Sequence, residues 1–319
     1  MQQGEIATVA VIGTGIIGAS WACLFLAHGL DVVATDIRAE AGGQLQDTIA
    51  RLWPTLPDPL QSGPCGTLRF TTDLDDACAT ADFVQENAVE RLESKIELMR
   101  RIDAATRPDV VIASSSSAIS VTDMQSACAH PGRVVLGHPF NPPHLVPLVE
   151  LAGGERSDPA ALDRAEQFYT RLGKVPVRLE KEIYGHIANR LQAAIFREAI
   201  HLLERGVASA ADIDRAVTEG PGPRWALMGP FQTYRLAGGE AGMAGFWRMF
   251  APMQEKLWSE LGAPVPDDGL QARVSDAVEA DYAGISIRAQ AEERDRKLRQ
   301  VLAAKSDKWG QSRPRGPAP

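Results

Sequence analysis

His138 and Glu150, twelve positions apart, are the two residues of this chain whose types and spacing best suit proton transfer. They stand in His138-Pro139-Phe140-Asn141-Pro142-Pro143 and Pro147-Leu148-Val149-Glu150-Leu151. A base near an alcohol hydroxyl is required while hydride leaves the adjacent carbon, and histidine ordinarily titrates near neutrality. A carboxylate on the other ring nitrogen fixes the tautomer and stabilises the imidazolium that forms. Upstream, Ser114-Ser115-Ser116-Ser117 follows the apolar run Val110-Val111-Ile112, and downstream lies Asn189-Arg190. Ser117 and Asn189 are candidates to hydrogen-bond a substrate oxygen. Singly, each has a plainer explanation: a satisfied core histidine, a strand-end acid facing solvent, a polar loop, an amide bonded to a facing domain. Their joint position after strands of a nucleotide-binding sheet is what points to a site.

The evidence for such a sheet is Val9-Ala10-Val11-Ile12-Gly13-Thr14-Gly15-Ile16-Ile17-Gly18, an apolar strand running into an apolar helix. Gly13 permits a tight turn, Gly15 lets the backbone approach a pyrophosphate, and Gly18 lets helix and strand pack closely. The first helical N–H groups, from Ile16 and Ile17 onward, then face the phosphates. Asp36 ends a second β-like run, Val32-Val33-Ala34-Thr35, and Arg38 follows closely. An acid at this distance accepts from the ribose hydroxyls and repels a 2′-phosphate, selecting NAD over NADP.

The remaining composition narrows the classes. A chain of 319 residues accommodates two domains. A net charge of −8 with no long basic run argues against nucleic acid as partner. Cys23, Cys65, Cys78 and Cys128 form no CxxC pair, which fits a reducing compartment better than disulfides or a metal site. The first residues lack a basic signal region, so a cytoplasmic protein is expected. Val9 to Leu30 is apolar enough to suggest a membrane span, but its glycines, Ser20 and His28 favour a buried strand–helix unit, with no membrane partner.

Strands are predicted near 7–13, 31–36, 83–86, 110–114, 134–138, 147–152 and 175–179, alternating with helices near 15–29, 39–52, 91–105, 121–129 and 159–172. This is the pattern of an α/β, doubly wound, mostly parallel sheet of Rossmann type, assigned to residues 1–182. From Ile183 one helix can run to Arg205 with an apolar stripe through Ile187, Leu191, Ala194, Ile195, Ala199 and Leu202. Residues 183–307 read as an all-α substrate and dimerisation domain, ending in a charged helix over 286–302, and 308–319 as a frayed tail.

With these motifs in view, GTGIIG, SSSSAIS, GHPFNPPHLVPLVEL and ANRLQ resemble the L-3-hydroxyacyl-CoA dehydrogenase family over nearly the whole chain. The resemblance implies an NAD-dependent dehydrogenase of L-3-hydroxy acids. It places the base on His138, the orienting acid on Glu150 and substrate contacts on Ser117 and Asn189. It puts NAD contacts on Asp36, Glu90, Lys95 and Asn141, the last beside the nicotinamide. It also implies a homodimer joined largely through the helical domain. One departure is Tyr184-Gly185-His186, where many members carry Pro-Gly-Phe.

The substrate is less plainly written. Members that bind CoA carry a lysine-bearing helical hairpin after the second strand; here residues 41–72 hold only Arg51 and Arg69 as cations, and no lysine precedes Lys95. Gly220-Pro221-Gly222-Pro223-Arg224-Trp225 is similar to the free-acid branch, the L-gulonate 3-dehydrogenase, lambda-crystallin and L-carnitine dehydrogenase group. Arg224 suits a substrate carboxylate because its planar fork can bind one bidentately, and it suits a structural salt bridge equally well. Ser209 to Asp214 resembles the gulonate type, whereas Thr233 to Met243 and Gly284 to Arg288 resemble carnitine dehydrogenases. Trp225, Phe231, Tyr234, Phe246 and Trp247 could face a trimethylammonium group or serve as core and interface. The expected substrate is a free acid such as L-gulonate. The alternatives are L-carnitine, an L-3-hydroxyacyl-CoA, or a non-catalytic nucleotide-binding role of lambda-crystallin kind.

Overall fold

The computed structural model describes residues 6–305. In order, the first elements are β1 (Thr8–Ile12), α1 (Ile16–Ala27), β2 (Asp31–Thr35), α2 (Ala41–Leu52), α3 (Asp58–Gln61), β3 (Leu68–Thr71), α4 (Leu74–Ala79) and β4 (Phe83–Glu86). There follow α5 (Leu92–Ala105), β5 (Val111–Ser114), α6 (Val121–Met124), β6 (Val134–Pro139), β7 (Leu148–Gly153), α7 (Pro159–Arg171) and β8 (Val175–Arg178). The strands form one eight-stranded sheet in the order β3-β2-β1-β4-β5-β6-β7-β8, in which β6 and β7 alone pair antiparallel. This is the expected α/β doubly wound sheet. The order reverses between β1 and β4, and ligands gather at such a switch point.

Side-chain alternation along β1 explains why both faces are covered. Val9 and Val11 pack with Trp21, Phe25, Phe168 and Tyr169 on one side. Ala10 and Ile12 pack with Met99, Ile102 and Met124 on the other. A parallel strand buried on both faces must be apolar throughout, which is why β1 reads as an unbroken run. α1 is buried from Gly18 to Ala27, so it carries apolar residues on every face. The apolar run from Val9 to Leu30 is therefore a strand and a core helix. No helix among the described residues is long and apolar enough to cross a membrane.

Packing divides the chain between Arg190 and Leu191 into two compact units, within the first turn of α8 (Ala188–Glu204). Composition placed the boundary at 182/183, where strand-like runs cease. The second unit continues with α9 (Ala210–Glu219), α10 (Gly222–Trp225), α11 (Pro230–Ala237), α12 (Gly242–Glu260), α13 (Asp268–Asp281) and α14 (Ile287–Lys305). The tail assigned to 308–319, with 306–307, lies outside the described residues.

Three expectations are corrected. β3 was not foreseen: Leu68-Arg69-Phe70-Thr71 is a half-buried edge strand and lacks the long apolar run of a central one. The helix near 121–129 is one turn only, Val121–Met124. The helix expected from Ile183 begins at Ala188, because Gly185 (φ 75°) and His186 (φ 52°) both take the left-handed conformation and break any helix through them.

Candidate active site

The antiparallel register of β6 and β7 sets His138 directly opposite Glu150. Side chains of directly opposed residues leave the sheet on the same face, so the two meet: Nδ1 of His138 lies 3.0 Å from Oε2 of Glu150, and both residues are buried. The carboxylate accepts from Nδ1–H, which leaves Nε2 as the ring's free acceptor. The Ser117 hydroxyl lies 3.3 Å from that Nε2. The other Glu150 oxygen, Oε1, accepts the backbone N–H groups of Ile187 (2.8 Å) and Ala188 (2.9 Å) at the start of α8. Burial pushes the Glu150 carboxyl up, but the bonds from His138, Ala188 and Ile187 outweigh it and hold it below its ordinary value. Glu150 thus orients the imidazole with one oxygen and pins the turn before Asn189 with the other. Asn189 is half-buried at the second position of α8.

Ser117 is held by its neighbours. Glu90 Oε1 accepts from the Ser116 hydroxyl (2.5 Å) and from the N–H groups of Ser117 (2.8 Å) and Ala118 (2.9 Å). Burial raises the Glu90 carboxyl; these bonds and the Lys95 charge bring it below its ordinary value. Lys95 is 1% exposed, its ammonium 2.7 Å from Glu86 Oε1, 2.9 Å from the Ala88 carbonyl and 3.8 Å from Glu90 Oε2. The expected cofactor residues Glu90 and Lys95 thus sit beneath and beside the serine loop, with Lys95 enclosed. Asn141 is exposed in the loop after β6.

At the reversal of the sheet, Gly13 takes φ 84°, and a Cβ there would meet Asn87 and Ala88 backbone at 3.0 Å. A Cβ on Gly18 would lie 1.9 Å from the Gly13 carbonyl oxygen, so only glycine allows α1 to approach its own loop. Around Gly15 nothing lies within 4 Å of a built Cβ, so the loop is open where α1 begins. Ile16 is 77% exposed there and Ile17 half-buried. A cavity of about 470 Å³ opens beside this loop, lined by Gly13, Gly15, Asp36, Ile37, Arg38 and Asn87 among others. Asp36 Oδ2 accepts from the Thr14 N–H (3.2 Å) and hydroxyl (3.1 Å), and Oδ1 from Arg38 Nε (3.3 Å). Burial raises Asp36 and these bonds more than offset it, so the carboxylate is charged at neutral pH. An open loop where α1 begins, an acid at the second strand and an adjoining cavity fit a dinucleotide.

Sequence reading missed Glu86, which accepts from Ser114 (2.6 Å), Ala88 N–H (2.6 Å) and Lys95. An acid closing an apolar strand, with a lone lysine nine residues on, is the signal it left. Lys174 also went unremarked. Burial brings it down to about 7, and it donates to the Pro143 and Val146 carbonyls while lying 5.0 Å over the Trp21 ring. It thereby holds the loop that carries Asn141. Arg224 is exposed on α10 of the second unit.

The sheet, its glycine turn and the histidine–carboxylate pair together define a dinucleotide-dependent dehydrogenase. The sequence pattern of the 3-hydroxyacyl-CoA dehydrogenase NAD binding domain matches residues 8–183, and that of the family's C-terminal domain matches 185–267. The chain belongs to the 3-hydroxyacyl-CoA dehydrogenase family and is an NAD-dependent dehydrogenase. It is similar to L-carnitine dehydrogenase of Streptomyces griseus, 48% identical over 94% of this chain and 90% of that one. L-carnitine dehydrogenase of Nocardiopsis dassonvillei is 45% identical over 94% and 92%. Among solved structures, 5-formyl-3-hydroxy-2-methylpyridine 4-carboxylic acid 5-dehydrogenase, an NAD+-dependent dismutase, superposes with a TM-score of 0.82 at 29% identity, covering 96% of this chain and all of that one.

Proposed function

We propose that the protein oxidises the 3-hydroxyl of L-carnitine to the 3-oxo acid, reversibly, with NAD. The observation that carries this reading is similarity to L-carnitine dehydrogenases at 40–48% identity over 94% or more of the chain. The gulonate reading gives way to its carnitine alternative on that ground. Thioester chemistry is disfavoured by the chain itself, since Arg69, one of two cations in 41–72, is engaged by Asp76 at 2.5 Å.

In this mechanism His138 Nε2 takes the hydroxyl proton, and Glu150 stabilises the resulting imidazolium through Nδ1–H. Ser117 and Asn189 hold the reacting oxygen. Bound NAD supplies the hydride acceptor. The N–H groups of Ile16, Ile17 and Gly18 would bind its phosphates, while Asp36 and Arg38 would hold the adenosine end. Glu90, supported by Lys95, holds the serine loop in place, and Asn141 would contact the nicotinamide. Arg224 pairs with the substrate carboxylate.

A trimethylammonium group favours aromatic faces. In the second unit Tyr234 (4.8 Å between ring centres) and Trp247 (5.2 Å) flank the buried Phe246, and both keep exposed surface. Phe231 is 83% exposed and Trp225 42%. Exposed apolar residues such as Phe196 and Trp258 support a homodimer through this unit.

Initial rates of NADH formation with L-carnitine, L-gulonate and L-3-hydroxybutyryl-CoA test the assignment. The highest kcat/KM is expected on L-carnitine. A preference for gulonate or for the thioester would overturn it.

A further inference from the structure

His186 is a buried histidine that the mechanism above leaves without a role. It is the one non-glycine residue with positive φ among the described residues, at 52°, and its backbone N–H closes a turn onto the Ile183 carbonyl at 3.1 Å. Left-handed backbone is unfavourable for a residue with a Cβ and persists where surrounding contacts enforce it. Here the reversal has two consequences. The next two N–H groups, of Ile187 and Ala188, reach Glu150. The His186 ring turns the other way, into the serine loop, where Nε2 donates to the Ser116 carbonyl at 3.1 Å. Its ring centre lies 4.9 Å from that of His138.

We propose that His186 is a positioning residue for proton transfer. Its imidazole, wedged beside His138 and bonded to the Ser116 carbonyl, fixes the Ser116–Ser117 segment so that the Ser117 hydroxyl and His138 Nε2 converge on one substrate oxygen. The same turn anchors Glu150, so one element restrains both the base and the hydroxyl. The charged or titratable groups around the ring are His138, Glu150 and Glu90. Burial, with the neighbouring His138, pushes His186 below the ordinary histidine value against the opposing pull of the Ser116 carbonyl and the two acids. A neutral ring suits the role, because it donates to Ser116 without placing a second cation beside the imidazolium that His138 becomes.

The inference rests on His138 as the base, and the experiment separates the two. His186→Phe keeps an aromatic ring and removes the donor; His186→Gln keeps a donor and removes the ring. Each is assayed for kcat, for KM of L-carnitine and NAD, and for Tm, beside His138→Gln. His186→Phe is expected to lower kcat roughly tenfold, short of the hundredfold that a 1 Å misplacement can cause, with KM for NAD unchanged. His186→Gln is expected to recover most of that loss. Wild-type kcat in His186→Phe, or no recovery in His186→Gln, overturns the proposal. If His186→Phe does not fold, His186→Gln decides: kcat within about threefold of wild type supports the hydrogen bond, and a larger fall overturns it. An active His138→Gln would sink the base assignment itself. An inactive one beside an unaffected His186→Phe would remove only the role given to His186.

Discussion

Two strand-end regions of one sheet are built in opposite ways for the proposed reaction. Where β1 turns into α1, backbone would do the recognising: Gly15 faces open space at the start of the helix, and a cavity of about 470 Å³ adjoins it. Where β5, β6 and β7 end, side chains would do the chemistry: His138 and Glu150 are enclosed, and the exposed Ser117 lies 3.3 Å from the His138 ring. Both oxygens of Glu150 are engaged, His138 is 5% exposed, and Ser117 is held through Glu90. The difference follows from the tasks. A long anionic ligand needs donors and empty space. A proton moves efficiently only between atoms held at hydrogen-bond distance, which requires restraint by neighbours.

The largest effect expected from breaking this contrast is at the enclosed end. His138→Gln should lower kcat by about 10²–10⁴-fold and leave the Kd for NADH nearly unchanged. Comparable losses in both would mean that the two regions are not separable and that His138 is structural. Lys95→Met comes next, because it strips the buried Glu86 of its counter-charge between the two regions. Leaving such a charge unpaired costs about 3–5 kcal/mol, read as a fall in Tm and in denaturant midpoint. Since Glu86 bonds both Ser114 and the Ala88 N–H, NAD binding and kcat should weaken together. A fall in one alone would show which region the pair supports. The smallest effect is expected at the open end, where Asp36→Ser removes the ribose acceptor and the repulsion of a 2′-phosphate. The ratio of kcat/KM for NAD over NADP should drop by roughly tenfold or more, about 1.4 kcal/mol, with kcat on NAD little changed. An unaltered ratio would transfer the selection to Arg38 or its surroundings.

Legibility differed between the regions for the same physical reason. The glycine turn and Asp36 were readable because their constraints are local: a reversed turn, a close helix approach and an acid one strand away leave fixed spacings. The pairing of His138 with Glu150 was readable because a hairpin carries them to each other. Glu86 was not, nor was the enclosure of Lys95 against it, since both depend on burial that neither residue announces. His186 showed only as an unusual residue before the Asn189 helix. Its left-handed turn, which shortens the expected helix to Ala188, is set by the contacts at Ser116 and Glu150.

The sequence by itself determined the class of fold, the glycine turn after β1 and the pairing of His138 with Glu150, because periodicity and short-range spacing encode strands, turns and hairpins. Tertiary structure alone decided which of the polar residues are enclosed, that Glu150 serves two elements at once, and that His186 lies against His138. Those outcomes depend on contacts between segments far apart in the chain, such as Ser116 with His186 and Glu90 with the serine loop. No local pattern specifies such contacts, because their strength comes from excluding water once the sheet and its covering helices have closed.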